Sequence, residues 1–135
     1  MKQVVDKAVL IAAINDRFRE TYWGGKVMMT QGVSALPDDL QLRIFRAVSD
    51  FDDFTEDNDP HGEHDFGRVI HDGLACFWKI DYYDHTLCYG SEDASNTEIT
   101  TRVLTIMLAS DIKRLRNAIS TYFAFYMRGI VFKPS

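Results

Sequence analysis

Hydrophobic positions near the start of the chain recur as Val4, Ala8, Ile11, Ile14 and Phe18. Spacings of three and four put them on one helical face. The pattern predicts a helix to about residue 20, stopped by Gly24-Gly25 because glycine accepts the left-handed geometry of a C-terminal cap. The run KVMMT at 26–30 is a short strand candidate. Pro37 suits the first position of a second helix, and Asp38 and Asp39 favour its N-terminal dipole. Leu40, Ile44, Ala47 and Val48 form its buried stripe, which Phe51 and Phe54 extend into the next loop.

Further along, the period shortens to two. Residues 66–70 and 74–83 read as strands of a hairpin, joined by a turn containing Asp72-Gly73, a pair favoured in tight hairpins. Asp84-His85 can turn the chain again into a third strand at 86–89. Two-residue loops would pair Val69 with Cys76, Phe66 with Lys79 and Asp81 with Cys88. Alternation gives one apolar face of Val69, Leu74, Cys76, Trp78, Ile80, Tyr82, Leu87 and Tyr89. The other, mixed face holds Phe66, Arg68, Phe77, Lys79, Asp81, Tyr83 and Cys88. Ser95 and Glu98 have capping-box spacing, and Ile99, Val103, Ile106, Met107 and Ser110 follow one helical face. The expected fold is α+β: a three-stranded antiparallel meander at about 65–90 plus a short extra strand, packed on one face by N-terminal, middle and C-terminal helices.

Composition adds limits. A chain of 135 residues, 46% hydrophobic, suits a single domain over 1–135, with 111–135 as a helical, apolar C-terminal extension. No apolar run approaches the roughly 18–20 residues of a membrane span, and MKQVVD breaks into charge too early for a signal peptide. Cys76 and Cys88 are too few for a disulfide framework or a closed zinc site, and read as buried small side chains or a free thiol. A cytoplasmic protein is expected, without a membrane partner. The apolar stretch at 122–132 fits a docked terminal helix or a homo-oligomer contact.

The net charge of −5 hides a segregation. Residues 50–98 hold fourteen acids against Arg68 and Lys79, a net −12, while residues 1–49 carry +2 and residues 99–135 carry +5. Such an acidic middle third repels nucleic-acid phosphates and attracts a cation or a basic protein surface. Acids that merely keep a solvated loop soluble are the plain alternative.

The loop EDNDPHGEHD at 56–65 concentrates the candidate chemistry. Asp57, Asp59, His61 and Gly62 fall where an EF-hand loop places its first ligands and glycine, but the twelfth position, which needs a bidentate Glu, is Arg68. An EF-hand is therefore excluded. His61, His64 and Asp65 offer imidazole and carboxylate ligands for a divalent transition metal; otherwise no cofactor is expected. Loop architecture, with Asx and Glu side chains tying down the backbone, produces the same pattern. His64 oriented by Asp65 suits a general base, with Lys79 stabilising an anion near Asp81. Lys79 and Asp81 are equally a plain surface pair. No nucleophile elbow, phosphate-binding glycine loop or zinc-protease helix motif occurs, and the order Lys79-Ile80-Asp81 is reversed relative to the acidic-x-Lys strand of many nucleases.

Four stretches together carry a resemblance: GGKVMMTQGVSALP, FDDFTEDNDPHGEHDFG, FWKIDYYD and TTRVLTIMLA. They resemble the bacterial proteins of domain of unknown function family 3768, from about residue 14 to 110. The resemblance implies no activity; its implication is contextual, an association with plasmids and other mobile elements of proteobacteria, near anti-restriction functions. The basic, aromatic extension KRLRNAISTYFAFYMRGIVFKPS departs from the usual pattern, in which the chain ends soon after residue 110.

Two functions follow from these observations. The first is a small acidic, non-enzymatic accessory protein that engages a basic protein surface, such as a host defence component, through Asp52, Asp53, Glu56, Asp57, Asp59 and Glu63. The second is a small hydrolase, metal-assisted or not, using His61, His64, Asp65 and Asp81 with Lys79. The lack of a complete catalytic signature favours the first.

Overall fold

A computed structural model describes residues 6–112. The elements run α1 (Lys7–Thr21), β1 (Lys26–Met29), α2 (Gln31–Ser34), α3 (Asp38–Ser49), β2 (Phe66–His71), β3 (Leu74–Tyr83) and β4 (Thr101–Leu108). The fold is α+β, built on a four-stranded mixed sheet of order β1-β4-β3-β2. β1 lies parallel to β4, and the other neighbours are antiparallel. The expected segment beyond residue 112 lies outside the described residues, as does Val4.

The first half follows local rules with one shift. Asp6 caps α1 by accepting from the Ala8 amide. The left-handed residue that ends α1 is Tyr22, at φ 59, and not the glycine pair. Tertiary contacts hold this non-glycine cap: the Tyr22 hydroxyl donates to the Phe45 carbonyl and its ring packs on Phe45. α3 starts after Pro37 with Asp38 and Asp39 in its first turn, and Ile44 and Val48 are fully buried.

The hairpin has the expected register, with Val69 opposite Cys76 and Phe66 opposite Lys79. Asp72 and Gly73 both take positive φ, 50° and 76°, the twist of a type I′ turn. Val69, Cys76, Trp78 and Ile80 join Leu104, Ile106, Leu108, Phe18, Val33, Ile44 and Val48 in one core, with Leu74 and Tyr82 half-buried against it. Gly67 is required there, because a Cβ would come within 2.5 Å of the Trp78 indole nitrogen.

The third strand is misplaced in the sequence reading. Residues 86–89 form no strand: only a bridge joins Tyr83 to Gly90, and Tyr89 and Cys88 are exposed. Asp81 pairs with Val103 and not with Cys88. The true third strand is β4, in the stretch expected to be helical. Its neighbours bury both of its faces, so TRVLTIML shows a near-continuous apolar run with no period of two to betray it. Ser95 and Glu98 do not cap a helix: Ser95 bonds to Asp93, and the Glu98 amide bonds to the Asn96 side chain, holding a sequence of tight turns. Among the described residues the stretch 99–108 therefore holds no helix, and helical geometry begins only at Ala109, after β4.

Candidate functional site

β2 begins at Phe66, where the last cross-strand contact, Ile80 N–H to the Asp65 carbonyl, is already outside the regular pairing. β3 runs on to Tyr83. The loop between α3 and β2 fills the space beside this overhang and separates two cavities.

The loop is built by its own polar side chains. Asp59 accepts from the amides of Glu63 and His64. Asn58 accepts from the Thr55 amide and donates to the Asp53 carbonyl. These bonds satisfy backbone groups that a tight loop cannot pair with itself. Asp52, Asp53, Glu56 and Asp57 stand outside this scheme: all four are exposed, and none is in an ion pair among the described residues.

The first cavity, of about 530 Å³, is lined by His61, Glu63, Asp65, Lys79, Asp81 and Tyr82 together with Asn58, Pro60, Phe66 and Ile80. Lys79 and Asp81 pair at 3.0 Å with side chains only 7% exposed each, so this is a buried pair and not a surface one. Breaking such a pair typically costs about 3–5 kcal/mol, because it leaves an unpaired buried charge. Burial pushes the Asp81 carboxyl up, and Lys79 pulls it back down. Asp65 is pushed up to about 6, first by burial and then by the Glu63 carboxylate. Its own backbone N–H meets it, but it has no ion-pair cation among the described residues.

The cavity wall continues into a buried polar lattice. Asn15, fully buried, donates to the Glu63 carbonyl and the Tyr82 hydroxyl, and accepts from Arg102 Nε at 2.7 Å. Tyr82 donates on to Glu63 at 3.1 Å, and Arg102 stacks over the Tyr82 ring. Burial raises the Tyr82 hydroxyl and lowers the Arg102 guanidinium from their ordinary ranges.

The second cavity, of about 450 Å³, is lined by Asp16, Arg19, Glu20, Phe51, Asp52, Phe54 and His64 together with Ser49 and Asp50. His64 sits at φ 56, and its ring lines this cavity while the Asp65 side chain lines the first. Its Nδ1 lies 2.9 Å from Asp16, its Nε2 lies 3.7 Å from Asp59, and the ring stacks on Phe54 at 3.9 Å. Arg19, 2% exposed, bonds to Asp16 and to the Val48 and Phe51 carbonyls.

The sequence-derived constellation is therefore divided. Asp65, Lys79 and Asp81 meet at one cavity with Glu63 and His61, while His64 faces the other, where Asp16 and not Asp65 orients it. The proposed ligand set His61, His64 and Asp65 does not converge, and no group of three His, Cys, Asp or Glu side chains among the described residues could hold a metal. Asn15, Asp16, Arg19 and Arg102 were not anticipated. Asn15 and Arg19 did leave a trace, since both fall on the α1 face that carries Ile11 and Phe18.

A family model described as "Protein of unknown function (DUF3768)" matches residues 29–111. The chain belongs to this family. All residues lining the first cavity fall inside the matched region, whereas Asp16, Arg19 and Glu20 of the second precede it. No curated protein and no solved structure matches the chain. No helix among the described residues is long and apolar enough to cross a membrane.

Proposed function

We propose that the protein is a binding module that engages a basic protein surface through the outer side of the loop between α3 and β2. One observation carries this reading: Asn58 and Asp59 hold the backbone, while Asp52, Asp53, Glu56 and Asp57 extend exposed and without ion pairs among the described residues. Fixed like charges on a pre-shaped loop attract a cationic surface without an ordering cost at binding. The family resemblance supplies the setting proposed for it: a cytoplasmic accessory protein of bacterial mobile elements, with a component of host defence as the partner class.

The test is affinity capture from the native host at about 0.1 M and 0.5 M salt, where screening lengths differ about twofold. The variant Asp52→Asn, Asp53→Asn, Glu56→Gln, Asp57→Asn serves as comparison. Partner recovery should fall at high salt and in the variant. Equal recovery in all conditions overturns the reading.

The raised pKa of Asp65, which lines the first cavity, favours a second reading, acid–base hydrolysis there. A carboxyl pushed to about 6 exchanges its proton near neutral pH beside the Lys79–Asp81 pair. His64 has no place in that arrangement. If Asp65→Asn keeps the full biological effect, this reading is removed.

A further inference from the structure

From the outer edge of β1 we infer a second binding surface, which joins two copies of this chain through an antiparallel β1–β1 contact. β1 ends the sheet order, with β4 on its inner side. The Thr30 amide bonds to the Ile106 carbonyl. Alternate residues of a strand address the same neighbour, so Met28 also faces β4 and Val27 and Met29 turn their N–H and C=O groups outward. Neither Val27 nor Met29 has a hydrogen-bond partner on that side among the described residues.

This edge is short and carries Lys26 at its start, but the other protections are missing along it. It has no proline or bulge, and its only charge is Lys26. Met28 is 55% exposed, and Trp23, three residues ahead of the strand, is 84% exposed.

The edge is also self-complementary. A two-fold axis at Met28 makes Val27 and Met29 exchange backbone bonds with Met29 and Val27 of the second copy. Met28 then faces its own copy in a non-hydrogen-bonded pair, about 4.5 Å between Cα atoms. Lys26 falls opposite Thr30, so no like charges oppose. The acidic loop leads into β2, the opposite edge of the sheet, so this docking keeps the two acidic regions apart. The product is one continuous sheet of two four-stranded halves. A four-residue junction buries less than the roughly 1,000 Å² of stable complexes, so the dimer should be weak.

Sedimentation velocity of the full chain between about 10 and 500 μM tests this, alongside Met28→Lys, which sets like charges across the axis, and Met29→Pro, which removes only an outward donor. Circular dichroism confirms that each variant folds. Concentration-dependent dimerisation, weakened at least about tenfold by either folded variant, is expected. In a Cys88→Ser background, Met28→Cys should cross-link under oxidation far faster than Leu42→Cys, a control that is more exposed than Met28. A monomer throughout the range, a dimer indifferent to the folded variants, or equal cross-linking rates overturns the proposal.

Discussion

The two cavities both take lining residues from the loop between α3 and β2, yet they treat charge in opposite ways. On the α1 side, Arg19 reaches Asp16 and two carbonyls, and His64 lies between Asp16 and Asp59. On the β3 side, Glu63, Asp65 and Asp81 crowd together, Lys79 is paired to Asp81, and Asp65 holds its proton to about 6. His64 and Asp65 are consecutive, but their side chains serve different cavities. Satisfied charges fasten the loop to α1. Asp65, a carboxylate on that side without an ion-pair cation among the described residues, is tolerated by the fold and does not support it. That difference separates structural from available groups better than residue type does.

Removing the keystone of the satisfied side should have the largest effect. Arg19→Met removes the guanidinium's bonds to the Val48 and Phe51 carbonyls and to Asp16, and should cost about 3–4 kcal/mol. Urea unfolding at unchanged m-value measures it. A cost below 1 kcal/mol would mean that the α1 side is not the fastening. His64→Asn loses the Asp16 contact and the stack on Phe54 while keeping a residue that accepts the left-handed backbone, and should cost about 1–2 kcal/mol.

The crowded side should respond with the opposite sign. Asp65 has a folded-state value raised from 3.8 to about 6, so between these values the folded chain binds more protons than the unfolded one. Stability then falls as pH rises through this window, and the penalty stays in full above pH 6. Asp65→Asn removes it. The variant should be more stable than the parent by about 1–2 kcal/mol at pH 7, after discounting for partial exposure, and indistinguishable near pH 4. Thermal unfolding at the two pH values checks both halves. A variant less stable at pH 7 would show that the Asp65 carboxylate supports the fold.

The same contrast explains what could be read from the residues alone. The hairpin was legible because Asp72-Gly73 demands one turn and one register, and α3 because Pro37 and the acids mark its start. β4 was not, since a strand buried on both faces carries no alternation and its apolar residues also satisfy a helical period. That error propagated to the site: with β4 hidden, nothing placed Arg102 beside Asn15 and Tyr82, or buried Lys79 and Asp81. The loop's composition pointed correctly to crowded carboxylates at Asp65 and Asp81. It could not show that His64, at a positive φ, lines the other cavity. Asp16 lies 48 residues from His64 in sequence, a pairing that only the assembled fold creates.

The smallest expected stability effect bears most directly on function. Asp52, Asp53, Glu56 and Asp57 carry no ion pair among the described residues and no part of the loop's side-chain bonding, so neutralising all four removes mutual repulsion and no contact. The quadruple Asn/Gln variant should therefore match or slightly exceed the parent, within about 1 kcal/mol, while losing its partner. Thermal unfolding and affinity capture on one preparation separate the two quantities. Asp59→Ala supplies the inner control, because it strips the acceptor from the Glu63 and His64 amides and should cost about 1–2 kcal/mol. If the outer four proved as costly as the inner one, the loop would be acidic for structural reasons on both sides. Exposed charge could then no longer be taken as charge held ready for a partner.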